Sequence, residues 1–330
     1  MSTFFKSNNP LSIILLFFYG FLLRFASFLY PKNPIVYSSD GFLYKLVLKS
    51  LGSWGITNSF VFPFLSYLLI FVQALLLNKY IGQYRMLSRP NFLPALSYIL
   101  ITALFPNWWQ ISSALIANTF LVWIWGSFLT LYKNNQAKLP LFNIGILLGI
   151  SSFIFIPSLY FWIVLLIWLI ILRSFDLTEC LVCLLGMGLP YYFLFAFLFL
   201  TDKMDIVSHL IEIQYALPSL KQDIWIWLGI ALIMTPVFIS LLYFQNTLSR
   251  MLIQARKNWN LLMVYLICGL IVAGLNGSVK VEYWVITAIP FAAFHANALF
   301  SPKKNLFPNF IHIATLIYII IINIKILRGW

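Results

Sequence analysis

The residues of this chain that could perform acid–base chemistry are few. The sequence has 330 residues and only eight acids. Six of these acids fall in three segments, each beside an apolar run: Asp40, then Asp202, Asp205, Glu212 and Asp223, then Glu282. A positioned carboxylate can take a proton from a reacting hydroxyl, so these three segments are where polar chemistry is expected.

Asp40 is the leading catalytic candidate. It follows Ser38 and Ser39 and directly precedes an amphipathic segment. One interpretation is structural, since aspartate is a good residue to cap the start of a helix. The other is a general base held at a membrane surface. One residue can serve both roles.

Three further charged residues are candidates for binding a substrate. Lys280 and Glu282 stand at the start of an apolar run, where a lysine can hold a phosphate as a point charge or extend its ammonium to the membrane surface beside Glu282. Arg24 lies inside the first apolar run, where a charge is costly. We expect Arg24 either to reach outward or to pair with an acid such as Asp40.

The remaining residues show no pattern for metal or nucleotide chemistry. His209, His295 and His312 are far apart in the sequence, and there is no Gly-rich phosphate loop. Cys180 and Cys183 form a C-x-x-C pair inside an apolar segment without a second pair. A zinc site needs more ligands than that, so we predict no metal site and two small buried thiols.

The elements that must position these residues are transmembrane helices. Hydrophobic residues make up 62% of the chain and charged residues 9%, whereas soluble domains carry about a quarter charged residues. Phe161–Leu172 is apolar on every face, which favours helices over the alternating strands of a barrel. The net charge of +13 is explained by basic loops on the cytoplasmic side rather than by nucleic-acid binding.

The apolar runs predict an all-α bundle of about eleven spans in one domain, residues 1–330. Two neighbouring runs around Pro157 form either two spans or one span and a re-entrant piece. The predicted spans are 10–30, 58–80, 92–106, 111–132, 140–156, 158–173, 178–200, 224–244, 259–274, 283–299 and 309–327.

Basic residues predict the orientation. The short segments 79–89 and 250–257 each contain three basic residues and no acid. Placing both in the cytoplasm gives a cytoplasmic N-terminus. The three acid-bearing segments then lie on the extracytoplasmic face.

Two of the outer segments are predicted to contain surface helices. In 41–52, Leu43, Leu46, Val47 and Leu51 recur at helical spacing, with two lysines on the opposite side. Such a helix lies in the plane of the interface. The outer loop 201–223 is the second candidate.

These features resemble the GT-C superfamily of membrane glycosyltransferases, which use polyprenyl- or dolichyl-phosphate sugars. In that family an outer loop after the first span carries an acidic motif that ends in tyrosine, as in Asp40-Gly41-Phe42-Leu43-Tyr44. Leu148-Gly149-Ile150-Ser151 followed by Pro157, and Lys280, Tyr283 and Pro290, resemble two later motifs. The chain is also similar to multispan membrane proteins of Bacteroidetes, a likeness that implies the inner membrane of a bacterium but no activity.

The GT-C resemblance implies sugar transfer from a polyprenyl-phosphate donor to an acceptor at the outer surface. Asp40 would be the base, and Lys280 with Arg24 would hold the lipid phosphate, beside Tyr44 and Glu282. Gly41 stands where the family has a second acid and Ile156 where it often has a basic residue. The departure at Gly41 removes the usual carboxylate pair for a divalent metal.

Two other classes of function stay open. A non-catalytic subunit that binds membrane protein partners in an envelope or export complex would need no cluster around Asp40. A transporter or flippase would need polar groups at the middle of the membrane. Gln73, Asn118 and Glu179 are the candidates for such groups.

Overall fold

The fold is a bundle of α-helices. The computed structural model describes residues 4–6, 9–37, 40–53, 60–173, 176–202, 204, 223–247, 251–275, 281–302 and 306–328. The thirteen α-helices of the described residues are α1 Leu11–Leu23, α2 Phe25–Leu29, α3 Phe42–Ser53, α4 Val61–Gln83, α5 Leu93–Ala103, α6 Ser113–Leu129, α7 Lys138–Ile154, α8 Phe161–Leu172, α9 Leu177–Leu200, α10 Ile224–Thr247, α11 Ile253–Leu275, α12 Ala288–Phe300 and α13 Leu306–Leu327.

Six helical segments are long and apolar enough to cross a membrane by length and composition. They are Val61–Gln83, Leu177–Leu200, Ile224–Phe244, Ile253–Leu275, Val281–Phe300 and Leu306–Leu327. Five shorter apolar helical segments accompany them. The prediction of an all-α, membrane-type bundle is confirmed over the described residues, while the count of eleven spans stays a prediction.

Two predicted segments have a different local structure. The first predicted span, 10–30, is broken at Arg24 into α1 and α2. The run around Pro157 becomes α7, a short 3-10 turn over Ile156–Tyr160, and α8. The predicted surface helix of 201–223 falls almost wholly outside the described residues.

The core of the bundle is formed by α5 and α12, which pack against each other. Every residue of α5 is buried, and so is every residue of α12 before Phe300. Small side chains such as Ala95 and Ala292 let the two helices approach, as is usual in membrane bundles. The imidazole Nδ1 of His295 lies 2.9 Å from Ser97 Oγ and ties the pair together.

Glycines allow the backbones of α7 and α9 to come into direct contact. A Cβ atom added at Gly145 would lie 2.1 Å from the Cys183 carbonyl oxygen, and one at Gly186 would lie 2.2 Å from that of Phe142. Contacts this short exclude any larger residue, so the two backbones touch directly. The opposite side of α9 carries exposed apolar residues such as Leu181 and Leu184, which suits contact with lipid.

A chain of polar side chains crosses the interior. The Tyr98 hydroxyl donates to Gln73 Oε1, and Asn118 Nδ2 donates to Tyr98 at 2.8 Å. Tyr265 donates to Asn118 Oδ1 at 3.4 Å, and Gln73 Nε2 donates to the Leu115 carbonyl at 2.8 Å. Gln73 and Asn118, distant in the sequence, therefore belong to one network linking α4, α5, α6 and α11. Glu179 is separate and pairs with Arg173 at 3.0 Å.

The bundle has two chemically different ends. At the first, which we call the Asp40 end, the segment after α2 meets the start of α6, the α7–α8 turn and the 3-10 turn Val281–Thr287. At the second, the basic end, the α4–α5, α6–α7 and α8–α9 connections come together with the start of α11, and Trp259 Nε1 donates to the Met86 carbonyl at 3.0 Å. Lysines and arginines such as Arg85, Lys133 and Lys257 lie at this second end.

Candidate functional site at the Asp40 end

Asp40 lies in a buried setting formed by three parts of the chain. Its side chain is 2% exposed. One carboxylate oxygen accepts from the Tyr37 backbone N–H at 2.7 Å, and the other accepts from the Ser113 hydroxyl at the start of α6. Asp40 also pairs as an antiparallel bridge with Phe155 in the α7–α8 turn. The residue therefore joins the first loop to two helix ends.

Gly41 permits this approach. Its backbone N–H donates to the Ile154 carbonyl at 2.9 Å. A Cβ atom at this position would lie 2.1 Å from the Phe153 carbonyl oxygen, so a side chain cannot fit without moving the two backbones apart. The glycine that departs from the GT-C acidic motif is thus required by the local packing of this chain.

Glu282 is brought to the same place from the far end of the sequence. The Tyr37 hydroxyl makes a side-chain hydrogen bond with Glu282, while the backbone N–H of Tyr37 binds Asp40. Asn107 Nδ2 lies 3.5 Å from Glu282 Oε1, at the limit of a hydrogen bond. Tyr37 therefore connects the two carboxylates of the site.

Tyr37 stays neutral under physiological conditions. Burial, followed by the charge of Glu282, a hydrogen bond to Glu282 and the charge of Asp40, raises the pKa of Tyr37 to about 12. A neutral phenol donates a hydrogen bond to a carboxylate. The bond between Tyr37 and Glu282 consequently does not depend on ionisation of the phenol near neutral pH.

Tyr44 completes the group from α3. It is fully buried, and its hydroxyl donates to the Ile111 carbonyl at 3.3 Å. Burial raises the pKa of Tyr44, and the charges of Asp40 and then Glu282 raise it further. Both carboxylates are therefore within electrostatic reach of Tyr44. The Tyr283 ring packs beside this group, with its centroid 5.0 Å from that of Phe155.

A small cleft opens beside Asp40. Its walls come from the start of α3, the end of α7, the following turn and α9. The Ser152 and Tyr191 hydroxyl oxygens in it lie 2.6 Å apart. The lining residues are Gly41, Phe42, Ser152, Phe153, Ile156, Leu159 and Tyr191.

Arg24 is not part of this site. The expectation that it reaches outward or pairs with Asp40 is wrong: Arg24 is 1% exposed, and its guanidinium donates to the carbonyls of Gly20 and Ile99 and to Thr102 Oγ1. The last carbonyls of a helix carry partial negative charge, so the end of α5 offsets the buried cation. Arg24 therefore joins α1 to α5.

Of the five residues predicted for the site, Asp40, Tyr44 and Glu282 come together, and Lys280 lies outside the described residues. Three contributors were not predicted: Tyr37, Asn107 and Ser113. Ser112 and Ser113 before an apolar run do signal a helix start, and Ser112 Oγ does accept from the Leu115 N–H at 3.2 Å. No spacing in the sequence relates Ser113 to Asp40.

The described residues contain no group of three or more His, Cys, Asp or Glu side chains that could hold a metal ion. The site's functional groups are two carboxylates, phenols, a serine hydroxyl and an amide. Carboxylates accept protons, and the neutral hydroxyls and the amide donate hydrogen bonds. Such a set suits recognition of hydroxyl-rich molecules and proton transfer from them.

The fold and the apolar helices define an integral membrane protein of the all-helical class. Residues 43–327 match the model of DUF6427, a family of unknown function, and the chain belongs to that family. No curated protein and no solved structure matches the chain.

Proposed function

We propose that this protein is a membrane glycosyltransferase that transfers a sugar from a polyprenyl-phosphate donor to an acceptor at the extracytoplasmic face. The observation that carries the proposal is the meeting of Asp40 and Glu282, 242 positions apart in the sequence, around Tyr37 at one end of the bundle. Buried carboxylates are costly to maintain, and a pair gathered from distant segments is typical of functional sites.

The proposed chemistry uses Asp40 as the base. Asp40 takes the proton of the acceptor hydroxyl while the hydroxyl oxygen bonds to the anomeric carbon. The bond between that carbon and the phosphate oxygen breaks, and the polyprenyl phosphate leaves with the electron pair. Glu282, Tyr37 and Asn107 bind sugar hydroxyls, and Lys280 holds the departing phosphate. The cleft beside Gly41 provides the approach.

In this proposal the protein lies in the inner membrane with about eleven spans, and the Asp40 end faces the extracytoplasmic side. The six long and five short apolar helical segments support it, as does the collection of basic loops at the opposite end. Reporter fusions after residues 86, 136, 253 and 305 are expected to lie in the cytoplasm. A periplasmic signal from the fusion after residue 86 would reverse the orientation.

A second candidate function is a non-catalytic subunit of an envelope complex. The observation in its favour is that the Asp40 carboxylate is buried and already bonded by Ser113 and Tyr37. A base must exchange one of these partners for the acceptor hydroxyl. In the subunit, the same bonds serve only to lock the first loop onto the bundle.

The deciding experiment measures sugar transfer in proteoliposomes from a panel of polyprenyl-phosphate hexoses and pentoses to a mixed envelope-lipid acceptor. Asp40→Asn keeps the size of the side chain and one acceptor oxygen for the Tyr37 N–H, and its NH2 can donate to the Ser113 hydroxyl, but it removes the base. It should lower the rate by about 10²–10⁴-fold. The control is Asp223→Asn, an acid with 56% side-chain exposure beside Lys325, which should transfer at the wild-type rate. Full activity of Asp40→Asn, or no transfer by the wild-type protein from any donor, would favour the subunit.

A further inference from the structure

The basic end contains two lysines gathered around one tyrosine. The Nζ atoms of Lys133 and Lys257 lie 5.7 and 5.6 Å from the centre of the Tyr132 ring. The two Nζ atoms are therefore at most about 11 Å apart. Neither lysine forms an ion pair with a described carboxylate. Two ammonium groups gathered around one ring make the local potential positive, which attracts an anion.

The neighbouring charges offset this pair only in part, because three cations, Arg173, Lys133 and Lys257, stand against two acids, Glu179 and Asp176. Arg173 lies in the same group because its Nη1 donates to the Leu131 carbonyl at 3.1 Å, but its Nη2 is paired with Glu179 at 3.0 Å. Asp176 caps α9 by accepting from the Thr178 N–H at 2.9 Å. Lys133, exposed at the end of α6, and Lys257 supply the surplus positive charge.

Lys257 is also fixed in position. Its ammonium donates to the Leu172 carbonyl at 3.0 Å, at the end of α8. This bond uses one of three ammonium protons, and the other two remain available to an anion. The site is thus built from the ends of α6 and α8 and the first turns of α11, and it is preformed on one side.

Apolar surface adjoins the charges. Ile170 of α8, Leu177 of α9 and Ile253 of α11 are 58%, 67% and 58% exposed. In a membrane these side chains contact acyl chains, and the lysines and Tyr132 then lie at head-group depth, where aromatic residues are enriched. Basic pockets between helix ends on this side of a membrane bind anionic lipid head groups.

We propose that Lys133, Tyr132 and Lys257 form a binding site for the head group of an anionic phospholipid. The phosphate lies between the two ammonium groups, and the acyl chains contact the exposed apolar side chains of α8 and α9. The site is at the end of the bundle opposite Asp40, so it does not depend on the proposed sugar transfer.

The test is lipid retention by the purified full-length protein in native mass spectrometry. Phosphatidylglycerol and phosphatidylcholine with identical acyl chains are titrated separately. The wild-type protein should bind phosphatidylglycerol in preference, and the double variant Lys133→Gln, Lys257→Gln should bind it about 30-fold more weakly, since each lysine near an anionic surface contributes about fivefold in affinity. Glutamine retains a donor for the Leu172 carbonyl.

The matched control is Lys79→Gln, Lys138→Gln, which removes two exposed lysines near the same end. It should keep wild-type affinity. Equal weakening of phosphatidylglycerol binding in both double variants would mean that only the general surface potential matters, and it would overturn the site. Unchanged binding in the Lys133→Gln, Lys257→Gln variant would overturn it as well. If the first double variant fails to fold, Lys133→Glu, on an exposed side chain, should abolish the preference for phosphatidylglycerol. Displacement of the lipid by inorganic phosphate would overturn the assignment to a lipid.

Discussion

Ser113 donates a hydrogen bond to the Asp40 carboxylate across 73 positions of sequence. The bond joins the first loop to the start of α6 in a place where Asp40 is 2% exposed. A buried carboxylate needs such donors, because its desolvation otherwise costs several kcal/mol. Ser113 therefore determines both where Asp40 lies and how strongly its carboxylate is held.

Replacing Ser113 should lower the free energy of unfolding, because the buried Asp40 carboxylate would then lack one hydrogen-bond donor. Ser113→Ala removes one donor from a buried charged acceptor, and we expect a loss of about 2 kcal/mol in the free energy of unfolding. Ser113→Thr keeps the hydroxyl and should retain most of the stability. Reversible unfolding in mixed micelles measures both. Equal stability of the alanine and threonine variants would mean that this bond contributes nothing.

Gly41 offers a second, steric test of the site. Gly41→Ala places a Cβ atom 2.1 Å from the Phe153 carbonyl oxygen and should separate the Asp40 segment from the α7–α8 turn. We expect a loss of about 1–3 kcal/mol or more, measured by thermal inactivation and by protease sensitivity of the loop before α3.

Gly52→Ala is the matched control for that variant, because among the described residues no atom outside the adjoining backbone of α3 lies within 4 Å of the position where its Cβ would be. Gly52 is inside α3, where alanine favours the helix by up to about 1 kcal/mol. The control should be neutral or slightly stabilising. Equal destabilisation by the two alanines would contradict the close approach at Gly41.

The sequence was sufficient for the helical class and for part of the site. Runs such as Phe161–Leu172 are apolar on every face, which in lipid indicates a helix. The clustering of acids in three segments indicated that Asp40 and Glu282 lie at the same end of the bundle, as they do. Tyr37 could not be chosen in the same way. Its backbone serves one carboxylate and its hydroxyl the other, a role decided by the path of a loop rather than by residue type.

Arg24 shows why the rest could not be predicted. A charge inside an apolar run must find a partner, and the nearest acid in the sequence was the obvious choice. The observed partners are the carbonyls of Gly20 and Ile99 and the hydroxyl of Thr102. Backbone carbonyls exist at every position, so residue types alone do not reveal which of them a packed neighbour will supply.

Helix α3 should lie in the membrane interface. The helix directs Tyr44 into the protein, whereas Lys45, Leu46, Val47 and Lys49 are exposed. Leu46 and Val47 then face lipid, and the two lysines reach the head groups. Spin labels at positions 45 and 49 should collide with a polar relaxation agent, and a label at 46 should collide with oxygen instead. The same response at all three positions would place the segment within a span or entirely in water.

The polar network in the interior should contribute to stability through Tyr98. Its hydroxyl donates to Gln73 Oε1 and accepts from Asn118 Nδ2, so Tyr98→Phe removes the Tyr98 partner of one buried acceptor and one buried donor. Interhelical hydrogen bonds in membranes are worth about 0.6–2 kcal/mol, and two are lost, so we expect a decrease of about 1–3 kcal/mol in the free energy of unfolding. Tyr192→Phe is the control, since Tyr192 is 67% exposed on α9 and should tolerate the change.

The measurement is unfolding in mixed micelles, together with a Tyr98→Phe, Asn118→Leu double variant. If the network acts as a unit, the double variant should lose less than the sum of the two single losses. Strict additivity would show that Tyr98 and Asn118 contribute independently.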